Sequence, residues 1–318
     1  MSAATKVIAL CGGVGGAKLA LGLASLADTI DLSIIANTGD DFEHLGLSIS
    51  PDIDTICYTL AGIANPDTGW GRAEESWSFM DSMAQLGAET WFRLGDKDLA
   101  LNVLRTQLIQ RGDSLSEITA GMAERLGIST NIIPMSDASV RTVLETDRGT
   151  LAFQDYFVRL QCQPIVSDIR FEGAASAQPA PRFADLLLDA TVDVIVVCPS
   201  NPFISIDPIL AIPTVREALA NHPAPVIAVS PVIDGQSIKG PTSKLMAELK
   251  LGSSSADVAA YYRDFVDGLI IDQRDAALAG SINAMGVATQ CSSVLMSTLD
   301  DRCRLAQEAI DFAERLQV

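Results

Sequence analysis

"KVIALCGGVGGAKLALGLASLADTIDLSIIANTGDD" (6–41) decides the fold. An apolar run from Lys6 to Cys11 meets four glycines, Gly12, Gly13, Gly15 and Gly16. A helical run, "AKLALGLASLA", follows, and then a second apolar run, "LSIIA". Strand, glycine turn, helix, strand is the opening unit of a doubly wound parallel sheet. Short apolar runs that stop at polar or turn residues return late in the chain: "VDVIVVCPS" (192–200), "PVIAVSP" (225–231), "GLIID" (268–272) and "VATQC" (287–291). Near-continuous Val/Ile runs are what strands covered on both faces require. The middle differs. From about Gly62 to Leu126 the pattern is helical, with Ser114 and Glu117 as a capping box, and Asp147-Arg148-Gly149 marks a hairpin. The expected class is α/β, Rossmann-like and doubly wound, with a mostly parallel sheet and a mainly helical insertion. The core is assigned to 1–62 and 161–318, and the insertion with its hairpin to 63–160.

The 318 residues are 48% hydrophobic, which fits a globular protein with a sizeable core. The formal net charge of −18 argues against nucleic acid and anionic membranes as partners, because both need basic patches. It leaves room for an anionic small ligand held by backbone N–H groups, local cations and a divalent metal. None of the six cysteines forms a C-x-x-C pair, and all six read as reduced core or near-core residues. The N-terminal apolar run is too short for a signal peptide, and no run reaches membrane-spanning length, so a cytoplasmic protein is expected.

The glycine turn reads either as a phosphate cradle at a helix N-terminus or as a tight turn needing positive φ. It is neither G-x-G-x-x-G nor a Walker motif, since Lys18 is not followed by Ser or Thr. Asn37 to Thr55 holds Asp40, Asp41, Glu43, Asp52 and Asp54 with no Lys or Arg. Ser50 as N-cap, Pro51 and Asp52 announce a helix, so Asp52 and Asp54 either complement its dipole or share a cation. Asp40 and Asp41 leave a strand end, where a hard cation such as Mg²⁺ would explain their closeness. "CPSNPFISIDPIL" (198–210) is a rigid loop or a second wall of a nucleotide site, with Ser200, Asn201 and Ser205 as donors. Ser230, Lys239 and Lys244 repeat that choice after the next strand. The three Trp, 70, 77 and 91, fall close together and offer a surface for a flat ring, and Arg93 lies beside them. Neither His44 nor His222 stands in a catalytic dyad pattern.

Taken in order, "GGVGGAK", "NTGDD", "GLSISPDIDTICYTLAG", "GWG", "LGDKDLA", "PMSD", "FQDYFV", "PSNPFISIDPIL", "AVSPVI" and "KGP" resemble the 2-phospho-L-lactate transferase (CofD) family of coenzyme F420 biosynthesis. The resemblance runs through almost the whole chain. It implies an Mg²⁺-dependent, commonly dimeric enzyme with a Rossmann-like fold. The donor would be a guanosine diphosphate ester of a three-carbon acid and the acceptor the deazaflavin Fo, with GMP released. Carried onto this chain, Gly12, Gly13, Gly15, Gly16, Lys18, Asn37, Thr38, Ser200, Asn201 and Ser230 would serve the nucleotide. Asp40, Asp41 and Asp54 would serve the metal, Asp52, Asp54 and Arg93 the reaction, and Trp70, Trp77 and Trp91 the acceptor ring on the insertion. Family members often carry Arg where this chain has Lys97, and Lys lacks the planar fork of Arg. Two other readings stand beside this one: a nucleotide-sugar-binding regulator of a related branch, without catalysis, and a nicotinamide oxidoreductase, which the missing G-x-G-x-x-G disfavours.

Overall fold

The structure is a computed structural model that describes residues 4–237 and 240–317. The chain runs β1 (Thr5–Cys11), α1 (Gly13–Ala24), β2 (Ile30–Ala36), a small hairpin of β3 (Phe42–His44) and β4 (Leu47–Ile49), then α2 (Pro51–Leu60), α3 (Ser78–Gln85), α4 (Asp96–Arg111), α5 (Leu115–Arg125) and β5 (Asn131–Pro134). It continues through β6 (Arg141–Thr146), β7 (Gly149–Ala152), β8 (Val166–Glu172), α6 (Pro181–Leu187), β9 (Val194–Val197), α7 (Asp207–Leu210), α8 (Val215–Ala220) and β10 (Val226–Val229). It closes with β11 (Val232–Ile233), β12 (Gln236–Ser237), α9 (Thr242–Glu248), α10 (Ser255–Tyr262), β13 (Gly268–Asp272), α11 (Ala279–Ala284), β14 (Ala288–Ser292) and α12 (Leu299–Leu316).

Seven strands form one sheet in the order β14-β13-β10-β9-β1-β2-β5, and every pairing is parallel. Side chains alternate along β1. Ile8 and Leu10 enter one apolar cluster with Ile195, Val197 and Phe183, while Val7, Ala9 and Cys11 enter the other with Leu19, Leu305 and Ala309. Burial on both faces explains the uninterrupted apolar runs of the sequence. From β1 the chain steps to β2 and β5 on one side, and from β9 to β10, β13 and β14 on the other. The order therefore reverses between β1 and β9, where open α/β sheets form a crevice beyond the strands' carboxyl ends. The doubly wound α/β class expected from the sequence is the class found.

The segment 63–160 is not wholly inserted. β5 pairs with β2 in the main sheet, and α5 packs on β5. Conversely, β8 lies beyond residue 160 but joins β6 and β7 in a separate antiparallel sheet. The capping box of Ser114 and Glu117 is present, and Asp147-Arg148 turns the β6–β7 hairpin with Gly149 at φ 95°. All six cysteines are free. Cys11, Cys57 and Cys198 are buried as expected, whereas Cys291 is exposed because β14 is an edge strand. Lys239 lies outside the described residues.

Candidate functional site

The glycine turn sits at the sheet's reversal point, closed by the loop that follows β9. Gly13 has φ 63°, so that position needs glycine. A Cβ at Gly15 would lie 2.4 Å from the Pro199 carbonyl oxygen, and one at Gly16 would lie 2.6 Å from Ser200 Oγ. The Ser200 hydroxyl donates to Gly12 O at 2.8 Å and accepts from Gly12 N at 3.3 Å, which staples the two loops together. Asn201 Oδ1 accepts from Phe203 N, while its amide Nδ2 is buried and, among the described residues, has no partner. The turn thus presents its backbone beside an unsatisfied donor, a chemistry suited to a phosphate oxygen.

Asp52 reaches this turn from α2. It accepts from Gly13 N at 2.8 Å and from Asn37 Nδ2 at 2.8 Å. Asn37 also accepts from Gly39 N, tying the strand end into the same knot. Asp52 thus bonds the N-terminus of α1 while standing in the first turn of its own helix. Burial pushes its carboxyl up to about 6 against these hydrogen bonds.

Asp40 and Asp41 are the least compensated groups of the site. Both are buried. Asp41 Oδ2 accepts from Ser50 Oγ at 2.7 Å, so Ser50 stands at the N-cap position of α2 but gives its hydroxyl to Asp41 and not to the helix. Among the described residues Asp40 Oδ1 and Asp41 Oδ1 have no hydrogen-bond partner, and neither carboxylate makes an ion pair. Burial raises Asp41 to about 7 and raises Asp40 well above the usual range, with the charge of Asp52 adding to the effect on Asp40. Bare, buried carboxylate oxygens are what a hard cation takes as ligands. Among the described residues no group of three His, Cys, Asp or Glu forms a metal set by itself. Mg²⁺ is ordinarily held by one or two carboxylates together with water and substrate phosphate.

Asp54, expected to share the metal with that pair, lies near enough to raise Asp41 and is itself held by an arginine. Arg105 of α4 donates to both its oxygens, Nη1 to Oδ2 at 3.1 Å and Nη2 to Oδ1. Arg105 also donates to Asn102 Oδ1 at 2.6 Å, Asn102 is held by Asp98, and Asp98 accepts from Tyr58 OH at 2.6 Å. Sequence reasoning missed Arg105 and Asn102. The signal was available: spacings of four and three put a polar stripe on one face of α4, while Val103, Leu104 and Ile109 are exposed on the others. Thr142 was also missed. Its buried hydroxyl lacks a partner among the described residues, and it would lie 2.8 Å from a Cβ at Gly39.

The aromatic residues gather beside the acidic pair. Phe42 and His44 of β3 contact Trp91 and Phe92, with ring centroids 4.8–6.2 Å apart. Arg93 stacks over Trp77 at 4.2 Å. Trp70 is half exposed at 51%. Most of the remaining sequence candidates have other engagements. Lys18 Nζ donates to Met296 O. Ser230 is bonded to Val232 and Ser255, and Thr38 Oγ1 is buried without a partner among the described residues. Lys244 pairs with Glu248 and donates to Pro164 O.

The family described as 2-phospho-L-lactate transferase CofD matches residues 7–292, from β1 through β14. The chain belongs to the CofD family. A phosphoenolpyruvate transferase of Streptomyces coelicolor is 37% identical, over 98% of this chain and 99% of its own. A 2-phospho-L-lactate transferase of Methanopyrus kandleri is 39% identical over 98% of each chain, and one of Methanocaldococcus jannaschii is 34% identical over 98% and 99%. Among solved structures, a Bacillus halodurans protein of the UPF0052 family aligns with a TM-score of 0.63 at 13% identity, over 98% of this chain and all of its own. That likeness is one of fold. The CofD match places the whole sheet, and hence both walls of the crevice, inside the family, whose members are transferases.

Proposed function

We propose that the protein is an Mg²⁺-dependent transferase of coenzyme F420 biosynthesis. It moves a phospho-three-carbon-acid group from a guanosine diphosphate ester to the terminal ribityl hydroxyl of Fo. The ribityl oxygen forms a bond to the distal phosphorus, the bond from that phosphorus to the GMP oxygen breaks, and the hydroxyl loses its proton. The observation that carries the reading is the pair of bare oxygens on Asp40 and Asp41, one strand away from the glycine turn at the sheet reversal.

Phosphoryl-type transfer asks a protein for alignment and charge neutralisation more than for covalent help. The glycine turn, stapled by Ser200, and the Asn201 amide hold the diphosphate by backbone and amide donors. Asp40 and Asp41 hold Mg²⁺, which when bound neutralises charge on the phosphate oxygens. Asp54, fixed by Arg105, accepts the hydrogen of the attacking hydroxyl and orients it. Trp77, Trp91 and Arg93 border the acceptor ring. Asp52 keeps the turn in shape. The acid is phosphoenolpyruvate, phospholactate or 3-phosphoglycerate, and relatives named for the first two stand at nearly equal identity. The assembly we propose is a cytoplasmic homodimer. Among the described residues no helix is long and apolar enough to cross a membrane.

The test is incubation with Fo, Mg²⁺ and a guanosine diphosphate ester of each acid, followed by mass spectrometry. One donor should yield a heavier deazaflavin together with GMP. No heavier product from any donor refutes the reading.

A further inference from the structure

Arg105 is 1% exposed and lies near the middle of α4, and both terminal nitrogens of its guanidinium are engaged. It grips Asp54 of α2 with two parallel donors, Asn102 of its own helix at 2.6 Å, and Ser48 O of β4 at 3.4 Å. Three elements therefore meet on one planar fork. The grip continues along the same face. Asn102 Nδ2 donates to Asp98 O at 3.0 Å, Asp98 accepts from Tyr58 OH, and Glu75 accepts from Lys97 N and Asp98 N at 2.8 and 2.9 Å. Asp54 and Tyr58 stand one turn apart on α2, so α4 holds that helix at two points. Glu75 belongs to the segment that carries Trp77, on which Arg93 is stacked.

A buried ion pair is a poor way to gain stability, because an apolar pair of equal volume does as well or better. What a bidentate guanidinium gives that an apolar pair cannot is a fixed carboxylate plane. We infer that Arg105 is a positioning residue for the transfer: it fixes the carboxylate of Asp54 in the orientation that receives the acceptor hydroxyl. The inference rests on the proposed function. Asp54 touches the substrate, and Arg105 orients it by direct hydrogen bonds, while only its charge reaches Asp41. The nucleotide half of the crevice is built from the glycine turn and the 198–201 loop, which Arg105 does not contact. Its loss should therefore appear in turnover and not in donor binding.

The experiment compares wild type, Arg105→Met, Arg105→Lys, Asp54→Asn and Asp54→Asn/Arg105→Met, measuring kcat, KM for each substrate and melting temperature. Misplacement of a reacting group by about 1 Å costs about 10²-fold in rate, so R105M should lose about that much kcat. KM for the guanosine donor should stay within about threefold, an uncertainty of under 1 kcal/mol. R105K keeps the charge but not the fork and should recover part of the loss. The double variant should be no slower than D54N, because the two residues act as one unit. R105M with wild-type kcat and a lowered melting temperature would show a structural role only and overturn the inference. Should R105M fail to fold, R105K decides: full kcat overturns the role of the fork, and reduced kcat at an unchanged melting temperature upholds it. Product from wild type together with an unimpaired variant sinks the positioning role alone. No product from wild type sinks the proposed function, and this inference with it.

Discussion

Gly15→Ala tests the architecture of the crevice with a single methyl group. The added Cβ would sit 2.4 Å from the Pro199 carbonyl oxygen, where ordinary contact begins at 3.4 Å. Backbone lies on both sides, so no side chain can swing away. Either the N-terminus of α1 or the loop after β9 must retreat by about 1 Å, and the cost of such overpacking is about 1–3 kcal/mol. That should lower the melting temperature by several degrees at most. The larger effect should be functional. The same 1 Å separates the turn from Asn201, whose unpartnered amide is assigned to the diphosphate, and misplacement on that scale costs about 10²-fold in rate. GDP binding followed by calorimetry and turnover followed by GMP release would both fall, while circular dichroism stays unchanged. If G15A binds GDP within twofold of wild type and turns over at the wild-type rate, the two loops do not form one binding wall and the reasoning fails.

Three further outcomes are expected. Asp41 is raised to about 7 by burial, against a carboxylate near 3.8 in the unfolded chain. The fold therefore favours its protonated form, and the associated stability is present at acid pH and lost as pH rises through about 7. Between pH 6 and 8 the melting temperature of ligand-free wild type should fall more steeply than that of Asp41→Asn, and Mg²⁺ with GDP at pH 8 should restore it in wild type only; equal slopes in a thermal-shift series would refute this. Trp91→Ala should weaken Fo binding about threefold to tenfold, the worth of one ring contact, in a deazaflavin fluorescence titration, and unchanged affinity removes Trp91 from the acceptor site. Light scattering should give twice the chain mass, and the chain mass itself would exclude the dimer.

The first βαβ unit was legible because three independent features agree there: apolar strands, a glycine turn and a helix of regular spacing. β5 was not, because it is only four residues long and ends in Pro134, so it reads as a loop inside a helical region. β8 reads as core by position, yet most of its residues are exposed or half-buried on the small sheet. At the site, the glycine turn, Ser200 and the acidic stretch could be named from residue type and place. Arg105 could not be found by the habit of placing charges outward. Helix α4 inverts the usual pattern, burying Asn102, Arg105 and Thr106 while Val103, Leu104 and Ile109 face out. The inversion itself is the signal, since polar residues line a helix's inner face only where polar partners await them.

The five carboxylates between Asn37 and Thr55 now separate by what balances each charge. Glu43 is exposed and solvated. Asp52 has the Gly13 N–H and the Asn37 amide, and Asp54 has the guanidinium of Arg105. Asp41 has the Ser50 hydroxyl and the nearby charges of Arg141 and Arg105, Asp40 has the side chain of Asn37, and among the described residues each keeps one oxygen with nothing opposite. Burying a carboxylate without a partner is costly, and within the chain alone the remedy is to take up a proton, which is the direction in which both groups are pushed. A divalent cation supplies the same relief without the proton. With two carboxylates and water around it, such a cation would keep positions that phosphate oxygens can take. Cation and diphosphate should then bind together more tightly than either alone. Calorimetry at pH 8 should find GDP affinity raised at least tenfold by Mg²⁺ in wild type and not in Asp40→Asn/Asp41→Asn, a coupling of about 1.4 kcal/mol. Equal enhancement in both proteins would place the metal elsewhere.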